Sequence, residues 1–321
     1  MSELRTAPRL PFPVPGIGYG TSGLGSMPDT YGYAVDEARA QDTLQAIFAE
    51  EPCFIDTSRL YGMGRSEERI GRAIRERGGL PETCILSTKL DRDVETGRFD
   101  GDRARRSLEE SLTALGLDRL HILHLHDPEY ARDLSEITGK GGALEALFRM
   151  KEEGVVQAVG LAMGKVPLMR QLMRDWEFDC LISHNRFTLL NREADELFTQ
   201  AQARGIAVFN AAPYSGGALA KGAENTNRIA YQEISEAEMT PVRAIEDVCR
   251  RHGVPMGAAA LQFSMRDPRI TSTICGVTKP ERVAETKEWA AFPIPPETWD
   301  ELLALPFGTD DPEANRDYKP G

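Results

Sequence analysis

Short apolar runs alternate with longer amphipathic stretches along almost the whole chain, and no other feature limits its fold so tightly. The runs are Cys53–Asp56, Ile85–Lys89, Ile122–His126, Val155–Leu161, Leu181–Ser183, Ile206–Asn210 and Thr271–Cys275, with a weaker one at Ile17–Tyr19. Each reads as a buried strand. The stretches between them carry apolar residues at three and four spacing and read as helices: Gln41–Ala49, Glu67–Arg75, Asp102–Leu115, Leu144–Glu152, Val166–Arg174, Glu193–Ala203, Val242–His252 and Arg282–Trp289. In Asp102–Leu115 the shared face is Ala104, Leu108, Ser111, Leu112 and Leu115. Strict alternation implies a parallel sheet. Eight such units in 321 residues suit a single (β/α)8 barrel of the TIM type. An open doubly wound sheet has the same alternation and is the rival. No linker or low-complexity tract divides the chain, so residues 1–321 read as one domain. Ser215–Gly217 stands where a barrel loop belongs, Lys221–Thr240 reads as a long extended loop, and the polar tail Gly308–Gly321 is expected to be mobile.

The formal charge of −12 argues against nucleic acid and anionic membranes as partners. No apolar run reaches the length of about 18 residues that a membrane-spanning helix needs. The opening residues, MSELRTAPRLPFPVPG, lack the apolar core of a signal peptide. Cys53, Cys84, Cys180, Cys249 and Cys275 are scattered, without metal-ligand spacing. They read as buried reduced thiols in a cytoplasmic protein that holds no metal.

Two sets of residues could carry chemistry. The first, Gly18-Tyr-Gly20-Thr-Ser-Gly23, matches the G-x-G-x-x-G dinucleotide pattern. That pattern needs a helix opening inside it, and Leu-Gly-Ser-Met-Pro is a poor helix start. It reads better as a glycine-rich strand end. The second is spread over successive strand ends. Asp56 ends one strand, Lys89 the next and His126 the one after, while Tyr61 follows Asp56 by five residues. In a barrel, polar groups at carboxyl ends of strands read as catalytic. His124, one alternation before His126, reads as a hydrogen-bonded interior histidine.

These residues resemble the Asp-Tyr-Lys-His set of the aldo-keto reductase superfamily: Asp56 in FIDTS, Tyr61 in YGMGRSEERIG, Lys89 in STKL and His126 in LHLHDP. The resemblance continues through RSLEESLTALGLDRLHIL, GALEALFRMKEEGVVQAVGLAM and IPPETWDEL. FDCLISHNRFTLLNRE and NAAPYSGGALAKG are most similar to the L-fucose, D-threo-aldose and pyridoxal dehydrogenase branch. The resemblance implies an NAD(P)(H)-dependent oxidoreductase moving hydride between a nicotinamide and a carbonyl or hemiacetal carbon. Tyr61 would be the acid/base, Lys89 would lower its pKa, Asp56 would hold Lys89, and His126 would bond the substrate oxygen. The expected substrate is a small polar carbonyl compound, a sugar or sugar-derived aldehyde, against Arg59, Leu60, Met63 and Asp127.

The cofactor contacts implied are His184 and Asn185 near the carboxamide, Ser215, Gly216 and Gly217 at the pyrophosphate, and also Ser183 and Tyr214. Gly276, Arg282, Glu285 and Thr286 fall at the adenosine end. Arg282 stands where the family binds the 2′-phosphate, which favours NADP(H). Gly276 and Val277 replace a Lys-Ser pair and Thr286 an Asn, which leaves NAD(H) open. The alternative functions are a non-catalytic cofactor-binding barrel subunit and a Rossmann-type dehydrogenase using the Gly18 motif. The sequence leaves the oligomeric state open.

Overall fold

Eight parallel strands close on themselves. In the computed structural model, which describes residues 3–316, they are β1 (Ile17–Gly20), β2 (Cys53–Asp56), β3 (Cys84–Leu90), β4 (Leu120–His126), β5 (Val156–Ala162), β6 (Cys180–His184), β7 (Ala207–Ala211) and β8 (Ser272–Gly276). Neighbours pair in chain order, and β8 returns to β1 with Thr273 opposite Ile17 and Gly276 opposite Gly20. Closure removes the rival open sheet and the switch-point crevice where such a sheet binds dinucleotides. The Gly18 motif serves the barrel instead. Gly18 lies within β1, where a Cβ would come 2.8 Å from the Phe54 ring, and a 3-10 turn, Ser22–Gly25, follows in place of a long helix.

The outer layer holds α1 (Glu37–Phe48), α2 (Arg65–Arg77), α3 (Gly101–Leu115), α4 (Ala143–Glu152), α5 (Val166–Asp175), α6 (Asp195–Ala203), α7 (Thr240–Arg251), α8 (Met256–Met265), α9 (Pro280–Ala291) and α10 (Pro296–Ala304). In α3, Asp100 caps the first turn by accepting from the Arg103 amide at 3.0 Å, and Gly116 ends the helix at φ 70°. Such a cap is worth about 1 kcal/mol. Its buried face is Ala104, Ser107, Leu108, Ser111 and Leu115; Leu112 sits at the margin. The periodicity reading misses α8. Its residues MGAAALQFSM are apolar nearly all round, because the helix is buried between α7, α9 and β8.

Two apolar layers result. Phe54, Ile122, Phe209 and Ile274 fill the barrel, with Phe54 and Phe209 edge-on at 5.2 Å. Leu10 and Val14, from a segment flanked by the paired pieces Leu4–Arg5 and Val14–Pro15, pack onto this inner core. A larger layer, including Leu44, Phe48, Leu86, Leu147 and Leu261, joins strands to helices. Burying each such side chain stabilises by roughly 1.5–3 kcal/mol.

Two segments depart from expectation. Lys221–Thr240 holds a small hairpin, Arg228–Ile229 with Gln232–Glu233. The tail as far as Arg316 is docked rather than free. Gly308 bridges Asn191, and Glu313 is buried with Oε1 3.0 Å from Nη1 of Arg186. The Glu313 and Asp311 carboxylates of the tail pair with the buried Arg186 guanidinium. Residues 317–321 lie outside the described residues. The five cysteines are free and buried. Among the described residues no helix is long and apolar enough to cross a membrane, and no group of His, Cys, Asp and Glu could hold a metal ion.

Candidate active site

Strand alternation aims the polar residues. Asp56 ends β2 two residues after inward-facing Phe54, and His126 ends β4 two after His124. In register, Asp56 stands opposite Ser87, and Lys89 opposite His124. Lys89 Nζ donates to Asp56 Oδ2 at 2.8 Å and to the Thr57 carbonyl at 2.6 Å. Ser87 Oγ donates to Asp56 Oδ1 at 3.2 Å. Both ionic side chains are buried, a placement that holds only when such bonds saturate the charges.

Tyr61 reaches this pair from the loop after β2. Its ring centroid lies 4.8 Å from Lys89 Nζ and 5.9 Å from the His126 ring, edge-on to the latter. The expected lowering of its pKa is not what the surroundings produce. Burial pushes the phenol well above its ordinary value, and the Asp56 charge adds to the rise. Lys89 spends its hydrogen bonds on Asp56 and Thr57 and faces the ring rather than capping the hydroxyl.

A residue that the sequence reading missed stands behind His126. Asp91 Oδ1 is 2.5 Å from His126 Nδ1, while Asp91 Oδ2 accepts from Ser58 Oγ at 2.8 Å and the Leu60 amide at 3.0 Å. The available signal was spacing: Asp91 follows Lys89 by two, the alternation that marks one face of a strand. Burial alone would lower the His126 pKa, but the Asp127 and Asp91 charges outweigh it and raise the value. Burial works against the Asp91 charge too; His126, Ser58 and the Leu60 amide hold its carboxyl below the usual range. His124 is the interior histidine expected, 3.1 Å from Ser87 Oγ and 3.5 Å from Cys180 Sγ, its pKa driven well down by burial and then by Lys89.

A cavity of about 510 Å³ opens over these groups and runs past His184, Gly216 and Gly217 to Lys279 and Arg282. Leu60 and Asp127 line it as expected; Arg59 and Met63 are not brought to it. Gly62, Met63 and Gly64 all have positive φ, a turn that leaves Met63 56% exposed and packs Gly64 against the Arg59 guanidinium. Arg59 instead lies 3.3 Å from Glu68. Tyr31, Tyr33, Tyr231 and Arg316 complete the wall. They come from segments that carried no periodic signal.

The residues expected at a cofactor divide in the same way. Tyr214, Gly216, Gly217, Gly276 and Arg282 line the cavity, with Gly216 at φ 71° and Gly217 at φ 105°. Ser183 Oγ and Asn185 Oδ1 at the end of β6 are buried without partners, and Asn185 Nδ2 donates to Glu313 at 2.9 Å. Buried polar atoms of this kind call for a partner. Ser215 is buried and bonds Thr188, while Thr286 donates to the Arg282 carbonyl, so both support the wall from behind. Arg282 Nη1 forms an ion pair with Glu285 at 2.7 Å, and its guanidinium lies 5.0 Å from the Trp289 ring. Neither Ser183 nor Asn185 lines this cavity, but glycine backbone midway along it and cations at its far end fit a nicotinamide dinucleotide.

The family model described as "Aldo/keto reductase family" matches residues 16–305. The chain is 26% identical to pyridoxal 4-dehydrogenase of Microbacterium luteolum, covering 94% of this chain and 96% of that one. It is 28% identical to D-threo-aldose 1-dehydrogenase of a Pseudomonas species, covering 90% and 93%. The fold is similar to the holo form of aldo-keto reductase AKR11C1 from Bacillus halodurans, with a TM-score of 0.75 at 18% identity, covering 99% of this chain and 100% of that one. The family match takes in β1 through α10 and all four strand-end residues, and the chain is an oxidoreductase belonging to the aldo/keto reductase family.

Proposed function

We propose that the protein moves hydride between NADP(H) and the carbonyl or hemiacetal carbon of a sugar or sugar-derived aldehyde, with Tyr61 as the acid/base. The observation that carries this reading is the buried Lys89–Asp56 pair under the Tyr61 ring, with His126 edge-on beside it. The nicotinamide, when bound, supplies or accepts the hydride. Tyr61 donates its proton to the substrate oxygen as negative charge develops there. An alkoxide is a far stronger base than a phenolate, so the transfer runs downhill even from a phenol that burial makes hard to ionise. Lys89 stabilises the phenolate that remains, and Asp56 keeps the ammonium in place. His126 fixes the substrate oxygen by a hydrogen bond.

The substrate class follows from the wall. Tyr31 OH, hydrogen-bonded to Ser22 Oγ at 2.5 Å, and Asp127, His184 and Arg316 offer polar groups to hydroxyls. The relatives named for pyridoxal and D-threo-aldose support a small polar carbonyl compound. Lys279 and Arg282 favour the phosphorylated ribose of NADP(H) over NAD(H). Buried free thiols and an acidic charge support a cytoplasmic location and a small molecule, rather than nucleic acid or membrane, as partner. The barrel works as one domain in this reading. The test is a panel of aldoses, uronates, pyridoxal and small aldehydes with both cofactors in both directions. Turnover is expected with polyhydroxylated or similarly polar substrates. Far better turnover of bulky apolar ketones overturns the substrate class.

A further inference from the structure

We infer that Asp91 is a positioning residue that fixes a proton on Nδ1 of His126, so that the ring nitrogen facing the substrate donates a hydrogen bond only while the imidazole is doubly protonated. When that proton leaves, Nε2 is bare, the carbonyl oxygen loses this donor, and carbonyl reduction slows while Tyr61 remains the acid. The inference rests on reading the site as a hydride-transfer centre.

The argument is one of donors and acceptors. An ionised carboxylate only accepts. Asp91 Oδ2 is taken by the Ser58 hydroxyl at 2.8 Å and the Leu60 amide at 3.0 Å. Its Oδ1 meets Nδ1 of His126 at 2.5 Å, and that contact needs a proton on Nδ1. Ser58 Oγ, 3.2 Å from the same nitrogen, has given its proton to Asp91 and also presents a lone pair. Asp91 cannot turn away. Its amide donates to Ser107 Oγ at 2.9 Å, its carbonyl accepts from Arg103 Nε at 3.0 Å, and its side chain is buried. The neutral ring therefore carries Nδ1–H and a bare Nε2. A carbonyl oxygen needs a donor, which Nε2 becomes only in the imidazolium.

Charged and titratable groups face the ring from every side. Asp91 stands behind it just past β3, and Asp127 Oδ2 lies 3.7 Å from Nε2. Lys89 on β3 opposes the cation but is paired with Asp56 on β2, and Tyr61 meets the ring from the loop after β2. Two carboxylates against one already paired ammonium favour the imidazolium, in keeping with the upward direction of the His126 shift.

Asp91→Asn reverses the arrangement. The Leu60 amide can bond only the oxygen of the new amide, which turns the NH2 toward Nδ1. His126 then keeps its neutral proton on Nε2 and donates at every pH. The experiment pairs nitrogen-15 histidine NMR with pH profiles of kcat/KM in both directions, on the full chain. In the wild type the alkaline form is expected to be protonated at Nδ1. Reduction should then fall about tenfold per pH unit above the His126 pKa. In D91N the proton should move to Nε2 and the fall in reduction should flatten, with the effect in kcat rather than in cofactor affinity. A wild-type alkaline form protonated at Nε2 overturns the inference without reference to any variant. So does a D91N enzyme with the wild-type tautomer and profile. If the tautomer is as described but no aldose or aldehyde is turned over, the hydride-transfer reading fails and the Asp91 assignment stands.

Discussion

The Lys89 ammonium lies 4.8 Å from the centroid of the Tyr61 ring while donating to Asp56 at 2.8 Å, so one buried charge serves both a phenol and a carboxylate. Tyr61→Phe should therefore lower kcat by roughly 10²–10⁴-fold, the range for a lost general acid, and leave the cofactor dissociation constant unchanged. Near-wild-type kcat in this variant would falsify the assignment of Tyr61.

Lys89→Met should cost both activity and stability, because it strands the Asp56 charge in the barrel. Breaking a buried pair in this way typically costs about 3–5 kcal/mol. The double variant Asp56→Asn, Lys89→Met should regain most of the stability and none of the activity. Thermal midpoints and kcat of the two variants and the wild type check this. Recovery of turnover in the double variant would mean that Lys89 only serves the fold.

Arg282 must leave Glu285 to grip a phosphate, since the two are paired at 2.7 Å. Arg282→Ala should weaken NADP(H) by about tenfold or more and change NAD(H) little, because a charged hydrogen bond is worth roughly 1.5–3 kcal/mol. Glu285→Gln should tighten NADP(H) by removing the competitor. Titration of both cofactors against both variants is the measurement. An unchanged NADP(H) affinity in Arg282→Ala excludes Arg282 as the phosphate ligand.

Glu67 accepts from Thr88 Oγ1 at 2.6 Å, and its other oxygen is buried without a partner. Burial pushes its carboxyl up to about 7, against the bond from Thr88. In the unfolded chain a Glu ionises near 4.3, so between these values the folded state binds the extra proton. Stability should fall as pH rises through that window, by on the order of 3 kcal/mol, and level off above it. Glu67→Gln should remove this slope. Urea midpoints from about pH 4 to pH 8 test it, and parallel curves for the two proteins would count against a buried Glu67 titrating there.

Glu313 is ringed by His184 and Arg186 at 3.0 Å each and Arg316 at 2.6 Å. Burial opposes its charge, but hydrogen bonding from His184 and the Arg186 and Arg316 charges hold the carboxyl far below the usual range. Its stabilising contribution is thus present above the unfolded value of about 4.3 and fades only as pH falls toward the folded one. Glu313→Gln should release the tail locally, since Arg186 retains Asp311 and Glu193. Hydrogen exchange across residues 308–316 should quicken while the thermal midpoint moves little. Unchanged exchange would show that the docking does not depend on this charge.

The strand and helix order was legible in the sequence because burial on one side or both imposes a period that composition alone displays. Asp56, Tyr61, Lys89 and His126 were legible because each falls beside a strand end, where the barrel turns side chains into one mouth. Closure was expected from the count of eight units, but alternation left an open sheet as the rival, since closure depends on β8 meeting β1 across more than 250 residues. Helix α8 was hidden because a helix buried on all sides has no stripe to read. Asp91, Glu313 and Arg316 were not singled out, and Arg59 was read as a substrate ligand. A charged residue carries no local mark of its partner. Only the tertiary structure, by bringing Asp91 to His126 and Glu313 to Arg186 while turning Arg59 toward Glu68, decided which charges belong to the site.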